Sequence, residues 1–401
     1  MRANNSYLVS PSKFSRVISV YGALAIGVLA VGQMLSPLPL TANDQYLLWL
    51  VNNKRDYFVR SNVGQDISKP KLMVLDEKIK QQFTVVKGKD VFRIFCVGGS
   101  TTVGWPFEDR GSYPLFLSRI LHDALPTRHI EVINAGFAAS DSSSDVDLVA
   151  ELADYQPDLL ILYEGRNEAW NLPLHVGWRS RALKIHAWLF QNIRLYDRAR
   201  RRLQTENRFD SAAAVRRWAE RSSREVFPEL ESLFQNNVAR MIDAMARRHC
   251  PVLLLTQIVS PEEDTRYPKI NKINGWIREL AKTKAVPLVD LDADFRNHPN
   301  DADRLIIPFP VTHPDLAGYE LMARLIAHQL PGLIRTQHAS DWRWNRVRSD
   351  AEYARLLKAD DPAYLADVYG RLAEYFTDSN AHRYLTRADL LRKTHSAHTP
   401  Q

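Results

Sequence analysis

The chain has 401 residues, 45% hydrophobic and 25% charged, which is enough for one sizeable α/β domain with appendages. Its two cysteines, Cys96 and Cys250, lie far apart beside apolar runs, so neither a disulfide framework nor a zinc-ligand pattern is present. The net charge of +7 is spread unevenly, and its excess falls in one internal segment.

At the amino end, Arg2, Lys13 and Arg16 precede an uncharged apolar run from Val17 to Leu40. That run has the length of a bilayer span, ~20 residues. Leu40-Thr41-Ala42 makes a poor cleavage site. The expectation is a cytoplasmic stretch over 1–16, an uncleaved single-pass signal anchor over 17–40, and an extracytoplasmic remainder, since flanking positive charge stays inside. An exported chain of this kind excludes nucleic acid as a partner. Residues 41–90 read as a mixed polar connector.

Val91–Val97 is rich in β-branched and aromatic residues and ends in Gly98-Gly99-Ser100-Thr101-Thr102-Val103-Gly104. This pattern predicts a buried strand feeding a tight turn. The glycines let the backbone bend where a Cβ would clash, which leaves the Ser100 hydroxyl exposed at the strand's carboxyl end. Ile130–Asn134 is the next strand, closed by Ala135-Gly136. Leu159–Tyr163 follows and runs into Glu164-Gly165-Arg166-Asn167-Glu168. Strands are also expected at Val252–Thr256 and Pro287–Leu291, and Thr312-His313-Pro314-Asp315-Leu316-Ala317-Gly318 opens a helix over Pro314–Leu330. Alternating strands and helices predict an α/β fold with a doubly wound parallel sheet of five strands. Function then belongs at the strands' carboxyl ends.

Taken singly, each block has a plain structural reading. Ser100 suits a turn, Gly136 a strand end, Asn167 a helix cap and His313 a helix entry. Together and in this order they resemble the SGNH (GDSL-like) hydrolases, over roughly Val91 to Leu330 and with a domain at 91–335. The resemblance implies a sheet of the flavodoxin-like type, with Ser100 as nucleophile and His313 as its base. It implies an oxyanion hole from the Ser100 and Gly136 backbone N–H groups and the Asn167 amide.

Two positions depart from the family pattern. Gly99 stands where an Asp is common, and Pro310 stands where an Asp usually orients the histidine. Three readings stay open for the second departure. A main-chain carbonyl near Pro310 makes a Ser–His dyad, or Asp290, Asp292 or Asp294 folds in as a distant acid, or catalysis is weakened or lost.

No Gly-Lys-Ser/Thr follows the glycines, and Ser100 lacks the Gly-x-Ser-x-Gly spacing, so a P-loop and an α/β-hydrolase elbow are excluded. No cofactor or metal is expected. The resemblance implies an esterase or acyl hydrolase acting on an acylated glycan or lipid of the cell envelope, on the periplasmic side in a bacterium. Acyl transfer between sugars, and a degenerate glycan-binding or assembly component, are the alternatives.

From His175 to Cys250 there are 16 Lys or Arg against 8 Asp or Glu. This segment, 175–250, reads as a basic helical insert, with Ala182, Ile185, Leu189, Ile193 and Tyr196 at helical spacing. Arg198, Arg200, Arg201 and Arg202 follow. Their face is either simply solvated, or it contacts anionic lipid or glycan, and the insert is also placed to wall the cleft. The extension at 336–401 carries Tyr353, Tyr364, Tyr369, Tyr375 and Phe376 in an aromatic helical pattern, with turns at Asp360-Asp361-Pro362 and Thr377-Asp378-Ser379. One or two helix pairs are expected there, packed on the main domain because they cannot bury their own face.

Overall fold

Successive apolar side chains of the central strands turn to opposite faces, and that alternation divides the core in two. The computed structural model describes residues 58–60, 71–74, 81–168, 227–266, 269–334 and 341–398, together with Ile185, Trp188, Leu189, Asn192, Ile193 and Tyr196. The expected anchor at 17–40 and Arg198, Arg200, Arg201 and Arg202 lie outside the described residues. Among the described residues no helix is long and apolar enough to cross a membrane. The chain divides into two compact units, Met1–Asn52 with Pro173–Ala214, and Asn53–Leu172 with Val215–Gln401. In the first unit, Ile193 N–H donates to the Leu189 carbonyl at 2.7 Å, a helical spacing.

The second unit contains ten described strands: β1 (Phe58–Arg60), β2 (Lys71–Val74), β3 (Gln82–Thr84), β4 (Val91–Gly98), β5 (His129–Asn134), β6 (Leu159–Tyr163), β7 (Val252–Leu255), β8 (Leu288–Val289), β9 (Ile306–Ile307) and β10 (His313–Pro314). Five of them form one sheet in the order β5-β4-β6-β7-β8, with every pair parallel. This is the flavodoxin-like order, and its switch point falls between β4 and β6. A ligand crevice opens there because the chain leaves the two neighbouring strands toward opposite faces.

Along β4 and β6, Ile94, Cys96, Leu159 and Ile161 enter one core, while Phe95, Val97, Leu160 and Leu162 enter the other. The first core is closed by the helices Tyr113–Ala124 and Leu316–Gln329 through Phe116, Leu117, Tyr319 and Met322. The second is closed by Ser142–Leu152, Phe227–Ala246 and Lys269–Thr283 through Leu148, Phe234, Met241 and Ile273. Each such fully buried side chain contributes about 1.5–3 kcal/mol.

Register sets the functional edge. Cys96 lies opposite Asn134 and Gly98 opposite Tyr163, so the ends of β4, β5 and β6 stand side by side.

Four expectations are corrected. The connector holds β1, β2 and β3, which form an antiparallel sheet. Phe58 and Phe83 pack edge to face with Tyr155 from this sheet. Strands of three or four residues are too short to show a period, so they read as polar linker. The segment called an insert ends before Phe227, because the Phe227–Ala246 helix buries Phe234, Val238 and Met245 in the core. The last helix of the domain starts at Leu316 with Asp315 as its cap, and His313 and Pro314 instead pair with Ile307 and Ile306. The strand expected at Pro287–Leu291 is only Leu288–Val289.

The extension is built from the helices Asp350–Leu356, Pro362–Ala373 and Ser379–His398. Its Tyr353, Tyr369, Leu372 and Tyr384 join the same core as Ile94 and Tyr319.

Candidate active site

β4 ends at Gly98, whose φ of +152° suits glycine, and a Cβ there would lie 2.4 Å from the Tyr163 carbonyl oxygen. The chain then turns into a single helical turn, Ser100–Val103, with no side chain capping it. Its first N–H groups, that of Ser100 included, therefore have no partner within the turn. The turn is tied to β5, since Asn134 Nδ2 donates to the Thr102 carbonyl at 2.8 Å.

Ser100 Oγ lies 2.6 Å from His313 Nε2. The other ring nitrogen, Nδ1, is 2.8 Å from the Val311 carbonyl oxygen, which can only accept. The proton is therefore placed on Nδ1, and Nε2 is left to accept from the serine hydroxyl. Burial pushes the His313 imidazole down to about 3, against the bond to Val311 and with help from the Arg166 charge. Trp105 packs on the ring at 4.6 Å between centroids.

The model of the GDSL-like Lipase/Acylhydrolase family matches residues 96–321, more than half of the chain. The chain belongs to the GDSL-like lipase/acylhydrolase family. The matched stretch begins inside β4 and stops inside the Leu316–Gln329 helix, so it includes Ser100, Asn167 and His313. No curated protein matches the chain.

Among solved structures, the lipase/acylhydrolase from Enterococcus faecalis is 18% identical with a TM-score of 0.41, covering 62% of this chain and 100% of its own. The acetyl xylan esterase AlAXEase is 18% identical with a TM-score of 0.40, over 60% of this chain and 100% of that one. The acetylxylan esterase Axe2 from Geobacillus stearothermophilus is 14% identical with a TM-score of 0.41, over 64% and 97%. Family membership rests on the matched residues, and these scores add nothing about substrate.

Asn167 lies in a turn after β6 and donates through Nδ2 to the Ser140 carbonyl at 2.7 Å. The same nitrogen would lie 2.7 Å from a Cβ on Gly99. A side chain at position 99 would therefore displace the Asn167 amide. Ser100, Gly99, Ser140, Arg166, Asn167 and Gln257 line one narrow pocket.

Gly136 is not brought into this pocket. Its N–H donates to Asn134 Oδ1 at 3.0 Å, and a Cβ on it would lie 2.7 Å from Val103 N, so its smallness serves packing against the Ser100 turn. Asp290 and Asp292 are likewise engaged elsewhere. Asp290 receives two bonds from Arg278, at 2.7 Å each, and one from Thr256. Asp292 binds Arg278 at 2.8 Å and Arg296 at 2.7 Å. Asp294 is raised above its ordinary range by burial and the Asp290 charge.

Several members of the site carry no motif of their own. Arg166 is held by Glu263 Oε1 at 2.7 Å and by the Ile258 carbonyl. Gln257 donates to the Glu164 carbonyl at 2.9 Å and fixes the loop after β6. Glu168 accepts from Ser142 N at 2.7 Å, joining the Asn167 turn to the Ser140 loop. Burial raises both Glu164 and Glu168. Among the described residues no group of His, Cys, Asp and Glu has the arrangement of a metal site.

Proposed function

We propose that the chain is a serine esterase that removes short acyl groups from a glycan or lipid of the cell envelope. Ser100 is the nucleophile and His313 the base. The observation that carries this reading is the 2.6 Å approach of Ser100 Oγ to His313 Nε2.

Ser100 Oγ attacks the ester carbonyl carbon while its proton passes to His313 Nε2. The oxyanion is held by the Ser100 N–H and by the second N–H of the Asn167 amide, whose first serves Ser140. Collapse breaks the bond to the alcohol, which leaves with the proton from Nε2. Water repeats the sequence in reverse on the acyl-serine. The Val311 carbonyl takes the orienting role in this Ser–His dyad, at 2.8 Å from Nδ1.

The apolar run at 17–40 with Arg2, Lys13 and Arg16 ahead of it supports a single-pass anchor holding the domain on the extracytoplasmic side. Arg198, Arg200, Arg201 and Arg202 supply charge for an anionic lipid or glycan surface.

The test uses the full chain in detergent with a fluorophosphonate probe and p-nitrophenyl acetate. Labelling and turnover are expected, and both vanish in Ser100→Ala. A folded wild-type protein that does neither overturns the esterase reading and favours a binding or assembly role. Acyl transfer to an added sugar in preference to water identifies a transferase using the same groups.

A further inference from the structure

The family match stops at Leu321, yet the extension that follows grips the segment carrying His313. Asp315, two residues after His313, has a side chain only 1% exposed. Its carboxylate accepts from Tyr369 Oη at 2.9 Å on one oxygen and from Arg387 Nη1 at 2.9 Å on the other. Tyr369 lies on the Pro362–Ala373 helix and Arg387 on Ser379–His398. The Arg387 guanidinium stands 4.0 Å over the Tyr369 ring, which holds both donors in one place. Asp315 also accepts from Leu316 N and donates its own N–H to the Leu305 carbonyl.

A second contact from the extension reaches the histidine ring through Trp105. Tyr375 packs edge to face on Trp105 at 5.5 Å, and Trp105 in turn covers the His313 ring at 4.6 Å.

The base needs this support for a physical reason. A carbonyl two residues away orients an imidazole only as well as its own segment is held, because both ends of the bond move together. The short β9–β10 pairing is one fixed point and the Asp315 carboxylate is the other. Without Arg387 the latter would be a buried charge short of its cation, and such a charge draws its segment toward water.

We propose that Arg387 and Tyr369 are positioning residues for His313, acting through Asp315, so that the C-terminal extension completes the active site. The inference rests on the reading of His313 as the base.

The test uses full-length Tyr369→Phe, Arg387→Met and Arg387→Lys, checked for folding by circular dichroism. The readouts are kcat and KM on p-nitrophenyl acetate and the His313 Cε1–H proton resonance, identified by its loss in His313→Gln. Tyr369→Phe and Arg387→Met are expected to lower kcat roughly 10–100-fold with KM little changed, and Arg387→Lys to recover part of it. The His313 resonance shifts in the first two and titrates at higher pH than in the wild type. Folded variants with wild-type kcat and an unmoved resonance overturn the proposal. Should Arg387→Met fail to fold, Tyr369→Phe decides, since it removes one hydroxyl. A wild-type protein without turnover defeats the esterase reading alone. The resonance then still decides the positioning role, an unmoved one overturning it and a shifted one upholding it.

Discussion

His313 donates through Nδ1 to the backbone oxygen of Val311, 2.8 Å away and only two residues back along the chain. A neutral acceptor thus faces the nitrogen that a carboxylate orients in a Ser–His–Asp triad. It selects the same tautomer as an acid would, but it stabilises a positive ring less, because a carbonyl offers a dipole and no charge.

That difference has a pH signature. Burial pushes His313 down to about 3, below its ordinary 6.5, so the ring stays neutral and basic across the acid range. Turnover should hold its level as pH falls through 6 and decline only as it nears the folded value. The unfolded chain binds a proton on this ring below its ordinary value that the folded site refuses, so stability also falls from there toward about 3. A kcat/KM profile with its acid limb near 6.5 would refute the neutral buried ring.

The proposed mechanism makes Asn167 the second oxyanion donor. Asn167→Ala should lower kcat roughly 100–1000-fold with KM little changed. Gly99→Ala should act on the same interaction, because its Cβ would lie 2.7 Å from Asn167 Nδ2 and displace the amide. Combining the two should cost little more than Asn167→Ala alone. Additive losses would show that Gly99 and Asn167 act separately.

Asp290→Asn and Asp292→Asn should leave the ester turnover per folded molecule nearly intact. Their carboxylates serve Arg278, Arg296 and Thr256 rather than the imidazole. The expected loss is in stability, about 1–3 kcal/mol for buried Asp292, which gives up bonds to two cations that are themselves part exposed. Urea titration paired with kcat separates the two effects. A fall in kcat of two orders in a folded variant would make that aspartate the orienting acid.

Glu320 offers a test away from the chemistry. Burial, reinforced by Asp350, pushes its carboxyl up to about 8 on the inner face of the Leu316–Gln329 helix. The folded state holds a proton here that the unfolded state releases near its ordinary 4.5, so stability from this group is lost as pH rises toward 8. Glu320→Gln should therefore gain in Tm relative to wild type between pH 5 and pH 9. A difference in Tm that stays constant over that interval would contradict it.

The central strands were legible because parallel sheets covered on both faces need continuous apolar runs, and Leu159–Tyr163 is buried throughout. The Ser100 turn was legible because only glycine tolerates the backbone at position 98. β1 to β3 were not, since a strand of three residues gains its identity from the partner it meets and carries no period of its own. The Phe227–Ala246 helix is hidden within a basic stretch of sequence because charge is counted along the chain, while burial is decided by one face.

The family, the parallel sheet and the turn at Ser100 were legible along the chain, because each rests on a local pattern of side-chain type and backbone freedom. Only the tertiary structure decided that Val311 faces the imidazole, that Gly136 spends its N–H on Asn134, and that Arg387 reaches Asp315 across 72 positions of chain. The first two are choices among neighbouring acceptors that the local turn settles, and the third needs distant segments packed together to bring its partners within bonding distance.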